Sequence, residues 1–142
     1  TITILSIVTL FSIPFLNFVK SENIIKNDEN WIDFLDTDIS NLVQNDQVVF
    51  IDITADWCAT CQFNKINVLQ SKKIKEAFEK NNIILVRADW TKPSKEIDTF
   101  LKKYNRFGIP LNAFFSPKYP DGLLLSEILS EKQILNSIAK IK

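Results

Sequence analysis

The chain has two cysteines, Cys58 and Cys61, set as Cys-Ala-Thr-Cys directly after the apolar run Val48-Val49-Phe50-Ile51-Asp52-Ile53 and the short link 54–57. A Cys-x-x-Cys pair in that place reads as a strand delivering a dithiol to the first turn of a helix. Unpaired N–H groups and the helix macrodipole favour negative charge there, so Cys58 is expected to ionise more readily than a free cysteine, whose pKa is about 8.5. Cys58 is the predicted nucleophile. Cys61, one helical turn further on and on the same face, can close a short disulfide with it or resolve a mixed disulfide that it forms.

Three other readings explain less. A structural zinc site needs about four Cys or His ligands, and two cysteines with no histidine would require a second chain to complete it. An inert disulfide would close a very small loop, where the loop-entropy gain is least. Two unrelated buried thiols would leave Trp57 and Asp52 beside them without a purpose.

Hydrophobic periodicity supplies the elements that must hold this pair. Residues 31–35 suit a short strand, and Asp38 or Ser40 can cap a helix containing Ile39, Leu42 and Val43. Residues 48–53 are apolar on both faces and read as a central strand. The helix starting near Cys58 is expected to turn Phe63, Ile66 and Leu69 to the core, and a polar break at Ser71 precedes a helix with Ile74, Ala77 and Phe78. Residues 83–88 form a second buried strand, and Pro93 is placed in the first turn of a helix carrying Ile97, Phe100, Leu101 and Tyr104. Residues 111–115 give a third strand. The turn signal at 117–122 leads into a fourth at 123–128, an antiparallel hairpin. Ser130 with Gln133 resembles a capping box for a last helix through Ile134, Leu135, Ile138 and Ile141. Parallel crossovers followed by a hairpin predict an α/β fold, a mixed central sheet flanked by helices.

Composition narrows the function. Seventeen basic and seventeen acidic residues cancel, which argues against nucleic acid as a partner. Two glycines, Gly108 and Gly122, exclude a Gly-rich phosphate loop and with it nucleotide cofactors. Residues 1–19 are read as an N-terminal transmembrane helix, because 2–19 carry no charge and reach the roughly 18 residues a span requires. A signal peptide fits less well, since no basic stretch precedes the run, and Pro14 is tolerable in a membrane helix. With no methionine and Thr1 at its start, the chain reads as a fragment of a longer protein or as one whose initiator methionine was removed. Residues 20–30 are polar and form a linker, and 31–142 the soluble domain. Lys20 and Lys26 are offset by Glu22, Asp28 and Glu29, so charge does not fix the orientation.

The Cys-x-x-Cys at a strand-to-helix junction, with Ile109-Pro110 leading into a later strand, resembles the thioredoxin fold. The run from Phe50 to Cys61, then Asn64, Ala88-Asp89-Trp90-Thr91 and Gly108-Ile109-Pro110-Leu111, is similar to the C-terminal thioredoxin-like domain of the transmembrane thiol:disulfide reductase family DsbD. The resemblance covers residues 31–142 and implies that 1–19 are the last span of a longer protein. It implies a protein-disulfide reductase on the periplasmic side of the bacterial inner membrane, fed by a dithiol in a membrane-embedded donor domain and passing electrons to periplasmic disulfide-containing proteins, cytochrome c maturation thiols among the final clients. No diffusible cofactor and no metal is implied beyond the Cys58–Cys61 pair.

Residue by residue, the resemblance makes Cys58 the attacking and Cys61 the resolving thiol. Asp52 matches the buried acid of such sites. A carboxylate in an apolar central strand should have its pKa raised by desolvation, which suits proton exchange with Cys61; a structural Asp held by backbone hydrogen bonds is the alternative. Pro110 matches the loop proline that is cis in this fold and, with Ile109, would place backbone beside the disulfide to receive an extended partner segment. Trp57 is expected over the dithiol, with plain core packing as the alternative, and Asp56 either tunes the local field or is simply solvated. Lys65 stands where some members carry an acid, so that acidic influence on the thiols is absent. Other functions stay open: a singly anchored oxidase or isomerase, a cytochrome c maturation thioredoxin, or a non-enzymatic module with a structural disulfide.

Overall fold

A computed structural model describes residues 30–142. The expected span at 1–19 and nearly all of the linker lie outside the described residues, among which no helix is long and apolar enough to cross a membrane. The elements run β1 (Trp31–Asp33), α1 (Ile39–Gln44), β2 (Val48–Thr54), α2 (Ala59–Asn64), α3 (Lys72–Lys80), β3 (Ile83–Asp89), α4 (Lys95–Lys103), β4 (Leu111–Ser116), β5 (Tyr119–Leu124) and α5 (Glu131–Ile141). A π-helical turn, Lys65–Leu69, continues α2 without a break.

These strands form one mixed sheet in the order β1-β3-β2-β4-β5, with β1 and β2 parallel to β3, and β4 antiparallel to both β2 and β5. The central position of β2 follows from its residues: Val49, Phe50, Ile51 and Ile53 are fully buried, and alternate side chains feed two cores on opposite faces of the sheet. Phe50 packs with Val68, Leu69, Ile74, Phe78, Phe114 and Ile134 on the face covered by α3, α5 and the π turn. Val49, Ile51 and Ile53 pack on the other with Val86, Ile97, Leu101 and Phe115.

Local chemistry corrects several expected boundaries. The active helix does not turn Phe63 and Ile66 inward: they are 50% and 55% exposed, while Cys61, Asn64, Val68 and Leu69 are buried. Cys61 and its partner sulfur lie on the buried face, and Val68 and Leu69 supply the apolar contacts there in place of Phe63 and Ile66. Pro93 precedes α4 instead of opening it, because the hydroxyl of Ser94 takes the N-cap and accepts from the Ile97 N–H at 3.3 Å. The last hairpin turns at Pro117–Lys118, so β5 begins at Tyr119 and ends at Leu124, earlier than the 123–128 expected. Gly122 serves inside that strand: its φ is +92°, and a Cβ there would lie 2.8 Å from the buried ring of Phe115. Half of the expected capping box forms, with Ser130 Oγ accepting from the Gln133 N–H at 3.2 Å while the Gln133 side chain donates to Ser126 Oγ instead.

Candidate active site

At the C-terminal end of β2 the Cys58 N–H closes a turn onto Ala55 O at 3.1 Å, and Cys58 becomes the N-cap of α2 with extended backbone. Its Sγ accepts from the Cys61 N–H at 3.2 Å, so a sulfur occupies the place where a capping oxygen normally meets the unpaired first-turn donors. Cys58 and Cys61 are joined in a disulfide with Cα atoms 5.2 Å apart. Cys61 is the deeper at 3% exposure against 7% for Cys58, which leaves Cys58 the more approachable. Ala55 and Ile109 pack against the pair, and the Ile109–Pro110 peptide is cis, with Pro110 buried at the entry to β4.

Asp52 is the one carboxylate buried among the described residues, at 3% exposure. The sheet register sets Arg87 of β3 on one side of it and Asn112 of β4 on the other. Arg87 Nε donates to Oδ2 at 3.1 Å, and Asn112 Nδ2 donates to Oδ1 at 2.9 Å. Side chains from both neighbouring strands hold the carboxylate, in place of the backbone groups that the structural alternative invoked. Burial pushes the Asp52 carboxyl above its ordinary range, against the opposing pull of the Arg87 charge, the two hydrogen bonds and the Lys65 charge. Arg87 itself lies 3.9 Å from the centre of the Trp31 ring, a cation–π contact that helps keep a largely buried guanidinium in place.

Trp57 is 61% exposed, which removes the core-packing alternative. Its Nε1 donates to Thr91 O at 3.3 Å, its ring centre lies 6.1 Å from that of Trp90, and the Asp56 N–H donates to Thr91 Oγ1 at 3.0 Å. The Trp90-Thr91 corner is in turn fixed by Trp90 N–H to Thr54 O at 2.7 Å and Thr91 N–H to Asp89 Oδ1 at 2.8 Å. Residues 89–91 therefore form the seat of the segment leading into the dithiol, and the side chain of Asp56 is exposed.

Asn64 is a site residue whose role sequence reasoning missed. It is 1% exposed, and its amide spans to the segment before α5, with Nδ2 donating to Glu127 O at 2.7 Å and Oδ1 accepting from the Leu129 N–H at 2.9 Å. Glu127 pairs with Arg106 at 2.8 Å, three residues before Ile109, so the helix bearing the cysteines and the loop bearing the cis proline are linked through Asn64. A polar residue at i+3 from Cys61, on the same helix face as that cysteine, was the available signal. Among the described residues no group of three or more His, Cys, Asp or Glu side chains could hold a metal ion.

A sequence family described as thioredoxin-like matches residues 30–117. The thiol:disulfide interchange protein DsbD of Haemophilus influenzae (strain PittEE) is 30% identical over 69 residues, 48% of this chain and 11% of the relative. DsbD of Yersinia pestis (strain Pestoides F) is 34% identical over 67 residues, 47% of this chain and 11% of the relative. The matched stretch thus spans about a tenth of these curated relatives. Among solved structures, the oxidised C-terminal domain of Neisseria meningitidis DsbD superposes with a TM-score of 0.60 at 19% identity, covering 73% of this chain and 90% of that one. A thioredoxin from Thermus thermophilus gives 0.59 at 16% identity, over 79% and 85% of the two chains. With the family match extending over more than half of its length, the chain belongs to the thioredoxin-like family, and its folded domain is similar to the C-terminal domain of DsbD.

Proposed function

We propose that residues 31–142 form a thiol:disulfide exchange domain acting as a protein-disulfide reductase, tethered by residues 1–19 to the bacterial inner membrane and facing the periplasm. The observation that carries the reading is the Cys58–Cys61 disulfide at the start of α2, with the first sulfur in the N-cap and the second buried behind it. In the reduced domain the Cys58 thiolate attacks one sulfur of a partner disulfide, forming a mixed disulfide and releasing the partner's other sulfur as a thiolate that takes up a proton. Cys61 then gives its proton to the Asp52 carboxylate and attacks Cys58 Sγ. The Cys58–Cys61 bond forms as the Cys58–partner bond breaks, the partner's second sulfur leaves as a thiolate that takes a proton from solvent, and two electrons have passed to the partner. A reduced dithiol of a membrane-embedded donor domain restores the pair by the reverse chemistry, so no diffusible cofactor is required.

Trp57, Ile109 and Pro110 receive the partner. Trp57 offers exposed aromatic surface on a fixed seat, Ile109 borders the sulfurs, and the backbone beside Pro110 pairs with an extended segment. The resemblance to the DsbD reductase family favours the reductive direction, with periplasmic proteins awaiting disulfide reduction for cytochrome c assembly among the clients in this reading. The test uses the domain reduced with dithiothreitol and insulin as the protein disulfide. C58S should abolish reduction, and C61S should accumulate a Cys58–insulin mixed disulfide. Equilibration with glutathione reports direction: a potential near the roughly −120 mV of a strong oxidant would contradict a reductase.

A further inference from the structure

Asp52 has two side-chain neighbours that differ in what they can offer. Arg87 has donors only, so it can serve either oxygen of the carboxyl but can never accept a proton from it. Asn112 carries a donor and an acceptor on one amide. It is 2% exposed, its Nδ2 is used by Asp52 Oδ1 at 2.9 Å, and among the described residues its Oδ1 has no hydrogen-bond partner. Interiors rarely leave a buried acceptor unmet, and the positions around it on β4 are Leu111, Ala113, Phe114 and Phe115, all buried and apolar. An aliphatic side chain would fill the same strand position without an unpaired atom. The fold therefore gives no reason for an amide here, and the carboxyl beside it does.

We propose that Asn112 is a positioning residue that serves Asp52 in both protonation states, donating through Nδ2 to the carboxylate and, after a half-turn of its amide, accepting through Oδ1 from the protonated acid. The terminal torsion of asparagine is broad and close to two-fold, so the exchange needs no movement of β4. One half of the amide is left over in either state, and neither state is penalised by losing its partner. The proposal rests on the reading of Asp52 as the group that holds the Cys61 proton between half-reactions. That proton moves from Cys61 Sγ to Asp52 when the disulfide forms and returns when it is reduced. The charged groups bearing on Asp52 are Arg87 from β3 and Lys65 from the π turn, with the cysteine pair itself the redox-dependent neighbour. Neither cation can replace the acceptor that Asn112 brings.

The test is an NMR titration of the oxidised domain, 31–142 with its preceding segment, without any partner. In the unmodified protein the Asn112 Nδ2H2 resonances should shift with the same midpoint as the Asp52 carboxyl carbon. In N112L, which suits an apolar strand, Asp52 should bind its proton about tenfold more tightly, because a bond to a charged acceptor is worth more than one to a neutral group. Asn112 resonances that stay flat while Asp52 titrates would overturn the proposal, as would an N112L variant whose Asp52 midpoint lies within twofold of the parent. These readings need no turnover. A D52N variant that still exchanges disulfides at the parent rate would instead remove the proton role of Asp52 from the proposed function, leaving the titration to judge Asn112.

Discussion

Replacing Asp52 by Asn should make the domain progressively more stable than the parent as pH rises. Asp52 is raised above its ordinary range chiefly by burial, with Arg87, Asn112 and Lys65 opposing. Below the ordinary carboxylate range Asp52 is protonated in both folded and unfolded chains, and its contribution is fully present. As pH climbs, the unfolded chain releases the proton first while the folded chain holds it, and the parent loses up to about 1.4 kcal/mol per pH unit until the raised folded value is passed. D52N is nearly isosteric, keeps an oxygen for the Asn112 donor and has no proton to release. Changes in the Arg87 contact add an offset, and every other carboxylate is common to both proteins and cancels in the difference. Urea unfolding of both oxidised proteins, in half-unit steps from pH 4 to 9, measures that difference. It should rise with pH at no more than the one-proton slope and then level off. A flat difference would mean that Arg87, Asn112 and Lys65 cancel desolvation, and one that falls with pH that they outweigh it; either would refute the reasoning.

Three further outcomes follow from the geometry. Asn64→Ala strands the buried Leu129 N–H, at a cost of about 1–3 kcal/mol, and leaves the part-buried Glu127 carbonyl to water, so urea unfolding should show a loss of about 1–3 kcal/mol; less than about 0.5 would contradict the bridge. Gly122→Ala places a methyl against the Phe115 ring at a positive φ and should cost on the order of 3 kcal/mol, read as a lower urea midpoint with an unchanged slope. Trp57→Ala removes an exposed hydrogen bond and the Trp90 ring contact and should cost about 1 kcal/mol, while slowing exchange with insulin and sparing exchange with a small aromatic disulfide; equal slowing of both would show that Trp57 acts on the sulfurs and not on the partner.

Most of the fold was legible because its three inner strands, β2, β3 and β4, are largely apolar runs, and their order gave the parallel crossovers and the final hairpin. The dithiol was legible from types and spacing that few other sites share, and the cis proline from the family resemblance. What the sequence hid was cross-chain satisfaction of polar groups. Asn64 looked like a polar helix residue, because its partners at 127 and 129 lie more than sixty positions away. The same holds for Asn112 and Arg87, which meet Asp52 only once three strands are in register. The periodicity points Phe63 and Ile66 inward because exposed apolar residues carry the same pattern as a core stripe. Gly122 looked like a turn residue, and only the packed ring of Phe115 reveals that the strand needs it.

The account turns on Cys58 being the sulfur that attacks. The most direct measurement is the pH dependence of iodoacetamide alkylation of the freshly reduced domain, with each modified cysteine assigned by mass spectrometry. Cys58 should react first, with a midpoint clearly below the roughly 8.5 of free cysteine, while Cys61 lags behind it. Preferential modification of Cys61, or a Cys58 midpoint at or above that of the free thiol, would contradict the account.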